Sequence, residues 1–256
     1  MVETFMPSEV LRPYISSYKI ISSIDGVTNR LLPDTAAAMG IRISGDVNYI
    51  ENGDIVRLPR AVVSGLRKSV RLVQYSPGSA MLIVSFKQDG AAAFFREPVS
   101  QIFEQSVGLE NVMDVNAVKF IEEAIAASQT IPERIRAIDK FMVSKLRPGS
   151  PDRLVERAIE SIRRTKGMIR IAELAKDLYI SEDAFSKRFQ KITGSTAKQF
   201  ASIIRMKSVI ETVQVSDSFT DTALEAGFYD QAHFNKEFKI FTGLSPAAFL
   251  RNARQW

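Results

Sequence analysis

Sliding the chain against itself by 49 residues brings its C-terminal part into register. Phe185 then meets Phe234, Lys187 meets Lys236, Phe189 meets Phe238, Thr193-Gly194 meets Thr242-Gly243, and Phe200 meets Phe249. Upstream the offset shortens to 48, where Ile171 matches Phe219 and Ala175 matches Ala223. One residue is absorbed in a turn. A chain that repeats itself in this way builds one supersecondary unit twice, and any fold proposed for it must contain that pair.

Local signals say what the unit is. In "FYDQAHFNKEFKIFTG", residues 228–243, Phe234, Phe238 and Phe241 stand at i, i+4 and i+7. That phase makes one apolar helix face. Asn235, Lys236 and Lys239 occupy the other face. Taken alone, the pattern fits any amphipathic surface helix. The repeat adds matched ends. Ser181 and Asp230 are equivalent N-caps, and Ile180/Phe185 and Tyr229/Phe234 repeat the spacing of a hydrophobic staple. Ala175 and Ala223 are small where two helices cross closely, and Gly227 stands at a turn that needs positive φ. "IRIAELAKDLYISEDAFSKRFQKITG" and "SFTDTALEAGFYDQAHFNKEFKIFTG" therefore each read as helix, turn and second helix. This is the helix-turn-helix plan, whose second helix lies in a major groove of DNA.

Composition removes competing functions. The 256 residues include no cysteine and one histidine, His233. Disulfides, thiol catalysis and thiolate metal sites are excluded. No GxSxG elbow, GKS/GKT phosphate loop or GxGxxG is present. The expectation is a protein that is not an enzyme and carries no metal or cofactor, although a carboxylate-only active site stays open. No segment approaches the roughly 20 apolar residues of a membrane span. The N-terminus lacks the pattern of a signal peptide. A cytoplasmic location is expected. Residues 151–256 hold 17 Lys+Arg and 13 Asp+Glu, a net +4, whereas residues 1–150 hold 17 and 16, a net +1. The positive charge thus leans modestly toward the repeat, which suits a nucleic-acid partner without demanding one.

"RPGSPDR", residues 147–153, reads as a linker that ends in a helix start, with Ser150 as N-cap and Pro151 at the first helical position. Before it, residues 18–90 carry short β-branched runs with turn signals, including Asn52-Gly53 as a hairpin turn. Six to eight strands in a small barrel or sandwich are expected. "AAAFFREP" reads as a short helix. "VNAVKFIEEAIAAS" and "IPERIRAIDKFMVSKL" read as an antiparallel helical pair over residues 115–146. Their apolar stripes are Val118, Ile121 and Ile125, and Ile135, Ile138 and Met142. A stripe left over after packing would serve as a homodimer contact. The fold class is α+β: a β-rich front domain over 1–147 with a helical hairpin, then an all-α domain over 151–256.

Residues 151–253 resemble the DNA-binding domain of the AraC/XylS transcription regulators. The most specific stretch is "GFYDQAHFNKEFKIFTGLSPAAFLR". The resemblance implies seven helices: a leading one near 151–165, two helix-turn-helix units, a connecting helix near 196–213 and a closing one near 246–253. It also implies two recognition helices in successive major grooves. Tyr179 departs from it, standing where the first turn often has glycine. The front half, through "PSEVLRPYISSY", "LLPD", "VSGL" and "LIVSFKQDGAAAFF", resembles an uncharacterised sensor-like domain that precedes this unit in bacterial regulators. There "LLPD" is usually followed by glycine, and here by Thr35.

Candidate DNA-facing residues are Asp183, Ser186, Lys187, Gln190 and Lys191 on the first recognition helix. On the second they are Gln231, Ala232, His233, Asn235, Lys236 and Lys239. Gln and Asn match adenine edges, and Lys matches guanine or phosphate. The resemblance makes Lys187 and Lys236 the base-reading basic positions. Asp183 either accepts from cytosine or simply favours the start of its helix. Ser195 and Ser245 open the next helices, whose free N–H groups suit phosphates. Asp34 and Arg42 are candidates for lining a small-molecule pocket, with a strand-end ion pair as the equal alternative. The expected partners are double-stranded DNA, a small-molecule effector and, for an activator, RNA polymerase. The alternative is a DNA-binding module fused to an enzymatic or interaction domain.

Overall fold

A computed structural model describes residues 1–51, 53–147, 149, 151–213, 226–228 and 230–252. The β-branched runs of the front half become strands β1 (Val2–Phe5), β2 (Ile15–Ser23), β3 (Val27–Leu31), β4 (Ala38–Ser44) and β5 (Val47–Glu51). They continue as β6 (Asp54–Arg57), β7 (Ala61–Ser64), β8 (Arg71–Tyr75), β9 (Ser79–Phe86) and β10 (Ser106–Gly108). They form two sheets, in the orders β1-β2-β9-β4-β7-β10 and β3-β8-β5-β6. Neither closes on itself, so the barrel alternative is set aside for a sandwich. All pairings are antiparallel. The eight strands from β2 to β9 match the expected number, and β1 and β10 were not foreseen.

Period-two alternation assigns the faces. Tyr18, Ile20, Met39, Leu82 and Val84 turn to one side of the six-stranded sheet and share a core with Ile121 and Phe141. Val47, Tyr49, Val73, Tyr75 and Met81 form a second cluster between the sheets. β5 and β6 pair with Glu51 opposite Asp54, which leaves the expected two-residue loop. Gly53 there has φ +94°, and Asn52 lies outside the described residues. The stretch read as a short helix at "AAAFFREP" is instead a 3-10 turn, Gly90–Ala93. Phe94 and Phe95 leave that turn to enter the core.

The helical pair is α1 (Val115–Ala127) and α2 (Ile131–Lys145). Asp114 caps α1, and Thr130 with Glu133 forms a capping box on α2. Val118, Ile121, Ile125, Ile138 and Met142 are buried, and Ile135 packs on the same core. Both stripes are thus used within the front domain, which removes the observation that motivated a dimer contact.

The second half contains α3 (Arg153–Arg164), α4 (Ile171–Asp177), α5 (Glu182–Thr193), α6 (Ala197–Val213), α7 (Gln231–Thr242) and α8 (Pro246–Asn252). The remaining expected helix, with Phe219 and Ala223, falls on residues outside those described, as does Tyr229. The start of α3 is corrected: its cap is Asp152, not Ser150, which also lies outside the described residues. The carboxylate wins because it accepts from two backbone N–H groups, those of Leu154 and Val155.

The sequence repeat reappears as a repeat of geometry. Phe185 and Phe189 pack with ring centroids 5.6 Å apart at 56°, and Phe234 and Phe238 at 5.5 Å and 56°. Phe189 meets Phe200 edge-on at 5.4 Å and 88°, and Phe238 meets Phe249 at 5.4 Å and 87°. Each trio anchors its own cluster. The first cluster also takes in Leu66 and Phe103 of the front half, and the second takes in Leu32.

The turn between α4 and α5 carries the departure from the family pattern. Tyr179 has φ +54°, and Gly227 in the second unit has φ +74°. Left-handed backbone costs a residue with a Cβ about 1–2 kcal/mol. Tyr179 is 96% exposed, so burial offsets none of that. Tyr179→Gly should therefore raise stability by about 0.5–1 kcal/mol, the strain relieved less the extra chain entropy of glycine. Urea midpoints of the two proteins check this, and a lower midpoint for the variant would refute it.

Candidate nucleic-acid interface

The two equivalent second helices, α5 and α7, are built alike from end to end. Ser181 Oγ accepts from the Ala184 N–H at 3.4 Å, and Asp230 Oδ1 from the His233 N–H at 2.7 Å. Each helix ends at a threonine and a left-handed glycine, Gly194 at φ +88° and Gly243 at φ +77°. The Thr193 hydroxyl lies 3.0 Å from the Phe189 carbonyl, and the Thr242 hydroxyl 2.8 Å from that of Phe238. Both threonines are buried, so these ends face inward.

The other faces point to water. Asp183, Lys187, Gln190 and Lys191 on α5 are exposed, and Ser186 is half-buried. Gln231, Ala232, His233, Asn235, Lys236 and Lys239 on α7 are all exposed. Lys187 Nζ donates to Asp183 Oδ2 at 2.8 Å, one helical turn back. That bond raises the Lys187 pKa and keeps its ammonium charged. Asp183 is thus the partner of the lysine beside it. His233 sits with its ring 5.9 Å from that of Phe228, and Arg205 of α6 lies over the far ring at 4.5 Å. No property of the sequence around Arg205 singled it out; only the fold stacks it there.

Two of the remaining candidates are corrected. Ser195 is 1% exposed with no hydrogen-bond partner for its hydroxyl, so it offers nothing to a phosphate. The residue that opens α6 is Thr196, whose hydroxyl accepts from the Gln199 N–H at 3.2 Å. Thr196 is the 49-residue match of Ser245, which is exposed and accepts from the Ala248 N–H at 3.3 Å. Arg42 is a strand-end residue paired with Asp46 at 3.1 Å, and Arg57 shares the same carboxylate at 2.7 Å. Asp34 does border a cavity in the front domain, but its carboxylate is held by Lys207 of α6 at 2.8 Å.

The inward ends of both helices rest on the front domain, which the sequence did not foretell. α5 packs on the 3-10 turns Gly90–Ala93 and Val99–Ile102. A Cβ on Gly194 would stand 2.9 Å from Val99 Cγ1. At the end of α7 the Ile240 carbonyl accepts from the Val70 N–H at 3.1 Å. A Cβ on Gly243 would come within 2.9 Å of the Arg30 guanidinium. Among the described residues, no group of three His, Asp or Glu side chains is placed to hold a metal ion, and no helix is long and apolar enough to cross a membrane.

Paired units of this anatomy, each presenting a polar helix face, define a helix-turn-helix protein. Residues 174–252 match a family model described as "Helix-turn-helix domain", and residues 3–108 match "Domain of unknown function (DUF6597)". The C-terminal part is thus an AraC-type helix-turn-helix domain, preceded by a DUF6597 domain. No curated protein matches the chain. Similar solved structures include ToxT from Vibrio cholerae, 11% identical over 91% of this chain and 97% of that one, with a TM-score of 0.47. Another is the C-terminal domain of AraT, a response regulator from Geobacillus stearothermophilus, 22% identical over 40% and 86%, with a TM-score of 0.37. A third is the AraC-like transcriptional activator CuxR, 13% identical over 82% and 86%, with a TM-score of 0.29.

Asp152 ties the leading helix to the first of the two faces, because its Oδ2 also accepts from Arg188 Nε on α5 at 2.7 Å. Partial burial works against its charge, but the Arg188 bond and two backbone N–H groups outweigh it, and its carboxyl titrates below the ordinary range. A depressed folded pKa contributes stability that is complete above the unfolded value, about 3.9, and is lost as pH falls through the folded one. Asp152→Ala should cost about 1–2 kcal/mol at neutral pH. The gap to the parent should narrow below about pH 4. Urea midpoints from pH 7 to pH 3 read it, and a gap that widens toward acid would contradict the assignment.

Proposed function

We propose that this protein is a sequence-specific transcription regulator that reads duplex DNA with the outward faces of α5 and α7 in successive major grooves. The observation that carries this reading is the matched pair: two helices with the same caps and the same phenylalanine trio, each turning a lysine outward at the same position. Lys187 and Lys236 read bases, with Gln190 and Asn235 beside them and Lys191 and Lys239 toward the phosphates. On DNA, Lys187 exchanges Asp183 for a base or phosphate acceptor. Ser245 offers the N-terminus of α8 to a phosphate. His233 lies on the DNA side of its helix, steadied against Phe228.

The division of labour places DNA binding in residues 151–256 and control in residues 1–147. A small molecule held between the two sheets of the front domain supplies that control. If the protein activates, it acts through RNA polymerase. This role belongs in the cytoplasm of a bacterium.

Lys187→Ala and Lys236→Ala should each weaken binding to the preferred site by about 1–3 kcal/mol. Selecting sites from random duplexes and titrating the variants on the winner measures both. Parent-like binding by both variants would dismiss the recognition-helix assignment.

A further inference from the structure

The two helix-turn-helix units meet around a cavity of about 150 Å³. Lys166 and Met168, in the turn from α3 to α4, line it from the first unit. Arg205, Ser208 and Thr212 line it from α6, and Ala226, two residues before Phe228, completes it. A Cβ on Gly167 would overlap the Ala201 carbonyl and stand 2.9 Å from the Arg205 backbone nitrogen, so the turn is pressed onto α6. Lys166 beside it holds φ +51°. Left-handed backbone strains a residue with a Cβ, and such strain gathers at ligand clamps. The space is well below the roughly 300–1,000 Å³ of drug-sized pockets, so it suits a small group.

The polar lining consists of donors. Among the described residues, no carboxylate lines the cavity or pairs with Lys166 or Arg205. Burial pushes the Arg205 pKa down, and Glu237 offsets this only in part, from beyond ion-pair distance. Arginine nevertheless keeps its proton in proteins. The Arg205 guanidinium lies over the Phe228 ring at 4.5 Å, and among the described residues none of its N–H groups meets a hydrogen-bond acceptor. Its Nε is sealed from solvent, whereas its two terminal nitrogens keep accessible surface and are the ones a ligand can reach. Thr212 turns its hydroxyl back to the Ser208 carbonyl at 2.9 Å, and the Ser208 hydroxyl has no partner among the described residues. The adjoining surface adds Arg164 and Arg170, of which only Arg170 has an acid partner, Glu173 at 3.5 Å. A guanidinium fork, an ammonium and a hydroxyl with no acid among them match the oxygens of a phosphate.

We propose that this cavity is a phosphate site, in which the terminal N–H groups of Arg205, with Lys166 and Ser208, hold a phosphate group at the joint between the two units. The bound group ties the turn ahead of α4 to α6. Through Arg205 and Phe228 it also steadies His233 at the start of α7, whose ring lies 5.9 Å from that of Phe228. The two units are thereby held at one spacing. The phosphate comes either from solution or from the duplex, since helices in successive major grooves straddle one minor groove and its two phosphate strands. The second source rests on the reading of α5 and α7 as DNA-binding helices, and the first does not.

The test uses the full chain in two arms. In the first, inorganic phosphate is titrated calorimetrically at constant ionic strength without DNA. Phosphate bound at this site should bind about tenfold or more weakly to Arg205→Gln and to Lys166→Asn. Asparagine tolerates the left-handed backbone, so Lys166→Asn keeps the fold if Arg205→Gln does not. In the second arm, single phosphates of the preferred duplex are replaced by neutral methylphosphonates. One replacement should weaken the parent about fivefold or more and leave Lys166→Asn unmoved, because that variant has already lost the contact. A response in the first arm assigns free phosphate, and one in the second assigns the DNA backbone. Silence in both arms, or a response that the folded variants retain, overturns the proposal. Lys187→Ala and Lys236→Ala score the DNA reading separately, and if the chain prefers no duplex, the first arm alone decides.

Discussion

The Val70 N–H that bonds the Ile240 carbonyl links the two halves of this protein at an informative place. The last four carbonyls of a helix have no partner within it. α7 satisfies one through its own Gly243 N–H, which bonds the Lys239 carbonyl at 2.8 Å. It satisfies the next through the front domain. A single such bond contributes only about 1 kcal/mol, so it positions more than it binds. Leu66, fully buried, supplies the larger part, since fully burying a leucine side chain contributes about 1.5–3 kcal/mol, and Leu32, partly buried, adds a smaller share. Bond and burial act together at the inward ends of the recognition helices.

This arrangement separates two tasks on one helix. The phenylalanine trio and the buried threonine use the inward face and the C-terminal end. The outward face is left to residues whose identity the fold does not dictate. Lys187 and Asp183 are both 77% exposed, so their pairing holds the side chain in place without fixing the fold. The front domain touches both helices at their ends and leaves their outward faces uncovered.

Much of the DNA-binding half was legible because its determinants are local. Caps at Ser181 and Asp230, and the i, i+4 phenylalanines, are set within one or two turns, and the repeat doubled each signal. The front domain's main strands were legible for the same reason, through alternation in β2 and β9. β1 and β10, four and three residues long, carry too little alternation to register. "AAAFFREP" has helical composition, but Phe94 and Phe95 are drawn into a core that ends the turn. Ser195 reads from the sequence as the opening of the connecting helix, but the fold buries it and gives the cap to Thr196. The arginines of the front-domain cavity, Arg67 and Arg71, were missed because "GLRKSVRL" reads as an ordinary charged loop and strand. Their burial, and the contact of Asp34 with Lys207, 173 residues away, are products of tertiary structure alone.

The central claim is that the front domain fixes the two recognition helices relative to one another. The absence of native cysteine allows a direct measurement. Spin labels at Gln190→Cys and Asn235→Cys, both exposed positions, report the distance between the faces by pulsed dipolar spectroscopy on the full chain. The account predicts one narrow distance that broadens when Leu32→Ala and Lys207→Ala together loosen the seat. A distribution equally narrow in that folded variant would show that α6 alone sets the spacing, and would contradict the account.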